Sequence, residues 1–586
     1  MLSFLSPLQR LCFFPFLSLV VSAVSFSLSA KETTSPLFRS GEHPFIHQEQ
    51  QQQSREASLM PKAPDIRLSP PSSVSSRLIF PAESPCFQIT QVVTDGGGAL
   101  PHWIPVQRIV DQAKGQCLGR DGINLLMSAL QNRLIGHGYI TTRVLAPSQD
   151  LKTGTLRLLI VPGTVRDIYL NTGSDDYIRL YSAFPARKGE LLDLRDIEQG
   201  LENLQRLPTV SARMVLKPGD RPGQSDIVIE RSQSRYWRTG AWVDDSGTES
   251  TGRYQGGVML ALDNPLSFSD LFYVTASRDL GFGGRHKSTH SYSAHYSVPL
   301  GYWLAGINLN DYRYYQTVAG KYTDIHYSGK SRSLNLQLSR VLHRGASSRT
   351  TASYDVLLRE TRNFIDDTEI TAQKRRTSAW RIGLSHRHYI GAATLDARVS
   401  YQRGTRWFGA LPAPEEAWDD YGGVTALSKI LSWNASLTAP FSLGEQSFSW
   451  NTTWRRQMSA TPLTPQDEFS IGNRWSVRGF DGERTLSASN GWLVQNTLSW
   501  QTPLPLQELY LGADYGEVSG NSTTQSDLTG QHLVGSVLGI RGAFGNTGVS
   551  YDASVGIPLS KPAGFKTDPV VTTFSVNWNW QWNRQG

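Results

Sequence analysis

The chain has 586 residues, with 57 Lys and Arg against 50 Asp and Glu and a formal charge of +7. That length exceeds one compact soluble domain of about 100 to 200 residues, so several units are expected. Acidic and basic residues are interspersed without a dense Lys/Arg run, which excludes a nucleic-acid footprint, and 52 Gly with 10% aromatics favours short strands and turns over an aliphatic-rich soluble enzyme.

Residues 1–30 have the three parts of a secretory signal: Arg10, an apolar run containing Pro15, and a small-x-small end at Ser27-Leu28-Ser29 before Ala30. The run falls short of the roughly 20 residues that a spanning helix needs. Cys12 would leave with this segment. Cys86 and Cys117 then remain, a lone pair expected to be bridged in an oxidising compartment, with two free buried thiols as the alternative. No His or further Cys sits beside either one, so no zinc site is expected.

Residues 31–60 form a polar N-terminal segment in which 48–56 are good helix formers. Residues 61–83 are a Pro/Ser-rich linker, where Ser69-Pro70-Pro71-Ser72-Ser73 cannot continue a helix. From 84 to 163 the pattern is that of a small α+β unit. Phe87, Ile89 and Val92 mark a strand, 103–114 a first helix, and 121–137 a second with Ile123, Leu126, Met127, Leu130 and Leu134 on one face. Strands at 141–145 and 155–161 follow. The same order returns over 164–233: a strand at 167–170, helices at 177–184 and 193–207, and strands at 211–216 and 226–230. Two β-α-α-β-β modules in tandem result.

From 234 to 586 helical periodicity gives way to strict alternation. Trp303, Ala305, Ile307 and Leu309 interleave with polar or small residues, as do Leu334, Leu336 and Leu338, then Leu395, Ala397, Val399 and Tyr401. In the last strand Phe574, Val576, Trp578, Trp580 and Trp582 alternate with Ser575, Asn577, Asn579 and Gln581. One face is apolar and the other wet, the pattern of an antiparallel transmembrane β-barrel with lipid outside and a polar lumen inside. At roughly 22 residues per strand with its connection, the region holds about 16 strands, and bacterial single-chain barrels have even counts.

The residues then carry a family resemblance. In the first module, Pro85-Cys86-Phe87, Cys117-Leu118-Gly119, Gly138-Tyr139-Ile140-Thr141-Thr142-Arg143, Pro147-Ser148-Gln149-Asp150-Leu151 and Gly154-Thr155-Leu156 resemble, in order and spacing, the first POTRA domain of the two-partner secretion transporters of the ShlB/FhaC/HecB type. Asp263-Asn264-Pro265-Leu266 with Asp270 is similar to that family's first barrel hairpin. Ile471-Gly472-Asn473-Arg474, followed by Val477-Arg478-Gly479-Phe480-Asp481-Gly482-Glu483, matches the tip of a long loop that folds back into the lumen in the wider superfamily. The implied partner of Arg478 is the inward-facing Asp514 of Leu511-Gly512-Ala513-Asp514-Tyr515-Gly516. An Arg fork suits a carboxylate, and Gly479 lets the backbone turn beside it. Gly479 and Phe480 complete the expected latch.

The resemblance implies two periplasmic POTRA modules, 84–163 and 164–233, ahead of a barrel in the outer membrane of a Gram-negative bacterium. It implies export, without ATP, of an unfolded partner exoprotein: an adhesin, a haemolysin or a contact-dependent toxin. Outer-membrane lipid and, during biogenesis, the barrel assembly machinery are the other implied partners. The segment 31–60 corresponds in position and composition to the family's lumen plug. Assembly of other barrels is the rival reading. An enzyme is not expected, since there is no Gly-x-Ser-x-Gly or His-Glu-x-x-His, and His286, His290 and His295 read as solvated strand ends. No nucleotide loop, metal or cofactor is expected. The C-terminus departs from the family, because Asn583-Arg584-Gln585-Gly586 follow Trp582 where an aromatic end is usual.

Overall fold

The first module folds because three short strands and two helices share one core. Gln91–Asp95 runs parallel to Thr155–Val161, whose other edge pairs antiparallel with Arg143–Leu145. Helices Val106–Val110 and Arg120–Gly136 cover this sheet, burying Ile89, Leu118, Leu126, Leu130, Leu134, Leu156 and Leu158. The structure is a computed structural model that describes residues 43–60, 65–68, 77–281, 286–319, 324–417, 423–520 and 531–580. The expected signal peptide, part of the linker and the C-terminal segment with Trp582 lie outside the described residues.

Three sequence expectations in the modules are corrected. The helix expected over 103–114 is the shorter Val106–Val110 followed by a 3-10 turn, Asp111–Ala113, since Pro101 and Pro105 keep the chain from winding earlier and Pro105 ends up as the N-cap. The strand through Phe87, Ile89 and Val92 divides into Phe87–Gln88 and Gln91–Asp95. At the break, Ile89 N donates to Gln116 O while Thr90 N donates to Gly154 O, so the ladder changes partner. In the second module the helix expected over 177–184 contracts to Leu180–Ala183, because Arg179 N donates to Ser267 O of a barrel turn and not to a helical carbonyl.

The second module repeats the architecture. Thr164–Leu170 lies parallel to Gln224–Gln233, Val210–Pro218 pairs antiparallel on the far side, and Leu194–Gln205 packs Ile197, Leu201 and Leu204 on Ile227 and Ile229. The modules meet through main-chain bonds: Leu194 N donates to Gly138 O at 2.9 Å and Leu192 N to Gly163 O at 2.8 Å. Gly138 takes φ +105°, and a Cβ there would stand 2.4 Å from Asp193 Oδ1.

Sixteen antiparallel strands, from Trp237–Asp244 to Val571–Trp580, close a barrel, with Val243 paired to Val576 across the seam. A two-residue strand, Thr368–Glu369, prolongs one hairpin. The alternation read from the sequence is the inside-outside alternation of the wall. Leu336, Leu338, Leu384, Trp578 and Trp580 stand exposed on the outer face, whereas Thr275, Ser291, Ser293 and Asp355 are buried inside. The second module is bonded to the turns at one end: Tyr302 Oη donates to Asp196, Asn203 Nδ2 to Gly301 O, and Arg344 reaches Glu198, Glu202 and Ile66 O.

Candidate functional site

The lumen is occupied. Helix His43–Leu59 crosses it, and 17 residues at about 1.5 Å per residue give roughly the height of the apolar band. Its polar face makes the contacts that a wet barrel interior offers. Gln48 bonds Ser291, Gln51 bonds Ser246, Glu49 pairs with Arg359, Arg55 with Asp244, and Asn310 donates to Glu56. Apolar anchors hold its two ends. Phe45 sits 5.2 Å from the Tyr314 ring within a cluster that includes Tyr312 and Tyr327, while Leu59 and Met60 pack with Leu207 and Val210 of the second module and Trp242, Met259 and Tyr273 of the wall. The helix formers recognised at 48–56 mark only its middle.

Residues 460–489 fold inward from the rim. A short hairpin, Phe469–Ile471 with Leu486–Ala488, braces this loop, and its tip carries Arg478. Arg478 Nε donates to Asp514 Oδ2 at 2.7 Å, Nη2 to Asp514 Oδ1 at 2.7 Å, and its backbone N to Asp514 Oδ2 at 2.9 Å. Nη2 also reaches Asn496 O and Thr497 Oγ1, both at 3.0 Å. The Asp514 side chain is fully buried, so its charge is matched by donors aimed at it rather than by water.

Gly479 has φ +95°, and a Cβ there would come within 2.5 Å of Ile557 O. Opposite lie three inward glycines on successive strands. A Cβ on Gly512 would strike the Arg478 guanidinium, one on Gly535 the Arg478 carbonyl oxygen, and one on Gly556 the Gly479 Cα. The loop thus lies main chain against wall. Sequence reading missed this cradle, because single glycines in three separate strands become one surface only through the strand register. Phe480 is buried with Ile471, Val477, Leu486, Leu493, Val518 and Leu533, edge-on to Phe565 at 5.9 Å.

Loop and helix touch each other. Asn473 Nδ2 donates to Gln50 Oε1, and the Trp475 ring lies 5.0 Å from His47. Arg474 pairs with Asp245 beside the first strand. Loop, helix and wall therefore form one polar network.

The other sequence-predicted residues are placed as follows. Cys86 and Cys117 are joined by a disulfide with Cα atoms 5.4 Å apart. Beside it the Glu83 carboxylate accepts from the N–H groups of Gly119, Asp121 and Gly122 at the start of Arg120–Gly136. Asp263 is buried and held by both nitrogens of the Arg238 fork and by Thr209, and Asp270 accepts from Leu266 N, Phe268 N and Tyr296 Oη. This hairpin is therefore a docking turn for the second module. Of the histidines, His295 is no solvated strand end: it is buried in the wall between Asn308 and Ser297 and stacked on Tyr273.

Comparison with known proteins places this geometry. Residues 223–542 match the family described as haemolysin secretion/activation protein ShlB/FhaC/HecB, 87–163 a ShlB-type POTRA domain, and 164–218 a POTRA domain. The chain is 35% identical to the outer membrane transporter CdiB-2 of Burkholderia pseudomallei, over 89% of this chain and 91% of the relative. It is 26% identical to the hemolysin transporter protein ShlB of Serratia marcescens, over 69% and 71%. Among solved structures it resembles CdiB from Escherichia coli, with TM-score 0.80 at 27% identity over 93% of this chain and all of that one. It also resembles CdiB from Acinetobacter baumannii, with TM-score 0.77 at 28% identity over 92% and 99%.

Proposed function

The chain belongs to the ShlB/FhaC/HecB haemolysin secretion/activation family, outer-membrane transporters of two-partner secretion with periplasmic POTRA domains, and we propose how this member performs that transport. Its cargo is a secreted exoprotein of the adhesin, haemolysin or contact-dependent toxin class, taken up unfolded. The outer edges of the module sheets, Gln91–Asp95 in the first and Val210–Pro218 in the second, are the ones to which an extended segment adds as a strand, whereas the edge at Arg143–Leu145 is capped by Gln131 on Val144 N and that at Thr164–Leu170 already bonds Gly189 and Glu190. That mode supplies affinity without demanding one fixed sequence. The relatives are transporters, and catalysis has no place in this reading.

One observation carries the proposal: the lumen is filled by two elements, helix and loop, that meet each other and much of the wall through side-chain hydrogen bonds, with apolar clusters confined to the helix ends and the base of the loop. Polar contacts exchange with water at little net cost, about 0.5 to 1.5 kcal/mol each. A polypeptide entering from the module side can displace them stepwise. No nucleotide-binding Gly-x-x-x-x-Gly-Lys-Ser/Thr loop occurs in the sequence, so folding of the cargo outside is the source of direction.

The test is secretion of the neighbouring large exoprotein by cells carrying the intact protein, a deletion, or Arg478→Ala, with barrel levels in the outer membrane measured in each. Loss of secretion at normal barrel level is expected for the deletion-complemented variant. Undiminished secretion in the deletion, with other barrels failing to assemble, would replace transport by barrel assembly.

A further inference from the structure

The outer face of the barrel is not apolar all the way to its rim. On strand Trp303–Ala319 the outward residues are Trp303, Ala305, Ile307 and Leu309, then Asp311 and Arg313. The register continues this change across the next three strands. Asp311 pairs with Arg332, Arg332 with Glu360, and Glu360 with Arg376; one row further up, Arg313 pairs with Lys330 and Lys330 with Arg362. Directly paired residues lie about 5 Å apart, so two adjoining rows bring five cations together with two carboxylates.

Ion pairing does not use up this charge. Arg313 and Arg332 share Asp311, at 3.0 and 2.7 Å, and Arg362 takes Glu360. Lys374, just beyond, is held by Glu369 at 3.6 Å. Among the described residues Lys330 and Arg376 meet no carboxylate at ion-pair distance; Lys330 lies over the Phe364 ring instead. The Arg332 side chain is 69% exposed. On the opposite wall, strands Asn490–Gln501 and Gln507–Ser519 contain no Lys or Arg.

The height of the patch fixes what faces it. Trp303 stands beside Tyr302, which bonds the second module and marks the periplasmic end. Ten residues along a strand of about 3.4 Å rise, tilted about 40°, climb roughly 25 Å, the full height of the apolar band. The cations therefore lie at the headgroup level of the outer leaflet. Immediately below, the wall has a furrow of about 1070 Å³ lined by Leu260, Ala294, Leu309 and Leu334, with Arg332 and Arg376 at its edge and the exposed Trp407 and Phe408 alongside.

We propose that this face binds a phosphorylated, multiply acylated glycolipid of the outer leaflet, its phosphates on Arg313, Lys330, Arg332, Arg362 and Arg376 and its acyl chains in the furrow beneath. Guanidinium forks match phosphate oxygens, and the furrow accepts chains that an isolated phosphate lacks. The phosphate-binding cations hold one wall of the barrel to the leaflet, and the far end of the furrow reaches the seam between first and last strands, where Ala241 and Trp578 line it.

The test uses the full-length protein folded in detergent and, as probes, bisphosphorylated lipid A and the same lipid with both phosphates removed, with adducts counted by native mass spectrometry. The wild-type protein is expected to retain the phosphorylated lipid at least tenfold better. That preference should disappear in Arg313→Gln/Arg332→Gln/Arg376→Gln and persist when the same three positions are lysine. Lys330→Gln/Arg362→Gln, which leaves both Asp311 pairs intact, provides a second variant should the first fail to fold. Equal retention of the two lipids by the wild type, or an undiminished preference in every glutamine variant that folds, overturns the proposal.

Discussion

Arg478 and Asp514 are joined three times over, by two guanidinium hydrogen bonds and by the Arg478 backbone N–H, all into one buried carboxylate. The backbone contribution makes the pair directional: Asp514 holds the main chain of the loop as well as its charge. Exchange of the two residues should not restore the latch, because the third donor cannot be moved.

Removing one member of a buried pair costs about 3 to 5 kcal/mol, and partial access of lumen water to Arg478 reduces this to about 2 kcal/mol. Arg478→Ala and Asp514→Ala are therefore each expected to shift the loop towards its displaced state by roughly thirtyfold. Single-channel recording in planar bilayers should give a higher mean conductance for both. Arg478→Lys, which keeps the charge but lacks the fork, should fall between. Unchanged conductance in all three would remove the loop from the gate.

Gly479 tests the backbone side of the same contact. Its φ of +95° disfavours any side chain, and a Cβ would press on Ile557 O at 2.5 Å. Gly479→Ala is expected to open the channel as far as Arg478→Ala does, while heat-modifiability on gels still reports a folded barrel. Gly535→Ala should act likewise, since its Cβ would collide with the Arg478 carbonyl oxygen.

What the sequence discloses and what it hides divide along physical lines. The wall is legible because its period is local: each outward Leu or Trp declares itself by its neighbour two residues away. Arg478 and Asp514 are legible because both sit in distinctive short strings. The glycine cradle is not, because Gly512, Gly535 and Gly556 acquire their shared purpose only when three strands are laid side by side. The ends of the lumen helix are hidden for the same reason: Phe45 is stabilised by Tyr312, Tyr314 and Tyr327, which are more than 260 residues away in the sequence. The helix expected over 103–114 is shorter, because Pro101 and Pro105 bar its first turn.

The helix can be fixed in place chemically. Gln48 and Ser291 are in contact at 3.3 Å across the lumen. Gln48→Cys with Ser291→Cys, joined by a short bis-maleimide, should abolish exoprotein secretion, whereas either single cysteine treated alike should not. The disulfide between Cys86 and Cys117 leaves no native thiol there to compete. Secretion persisting in the cross-linked protein would mean that cargo passes without helix displacement.

A last prediction concerns the junction between modules, where Asp193 caps helix Leu194–Gln205 by accepting from Arg195 N at 2.8 Å. Burial raises its carboxyl pKa to about 6, outweighing the cap hydrogen bond that favours the charged form, and nearby Asp196 adds to the rise. Because the folded value lies above the unfolded one, the stability this group contributes is complete below about pH 4 and is lost as pH rises through 6. The loss by pH 7.5 is at most about 3 kcal/mol, at 1.36 kcal/mol per pKa unit. Asparagine keeps the cap acceptor and removes the buried charge. Asp193→Asn should therefore raise the melting temperature of the POTRA transition at pH 7.5, by differential scanning calorimetry of the whole protein in detergent, and change it little at pH 4.5. The same gain at both pH values would show that the substitution acts through something other than this charge.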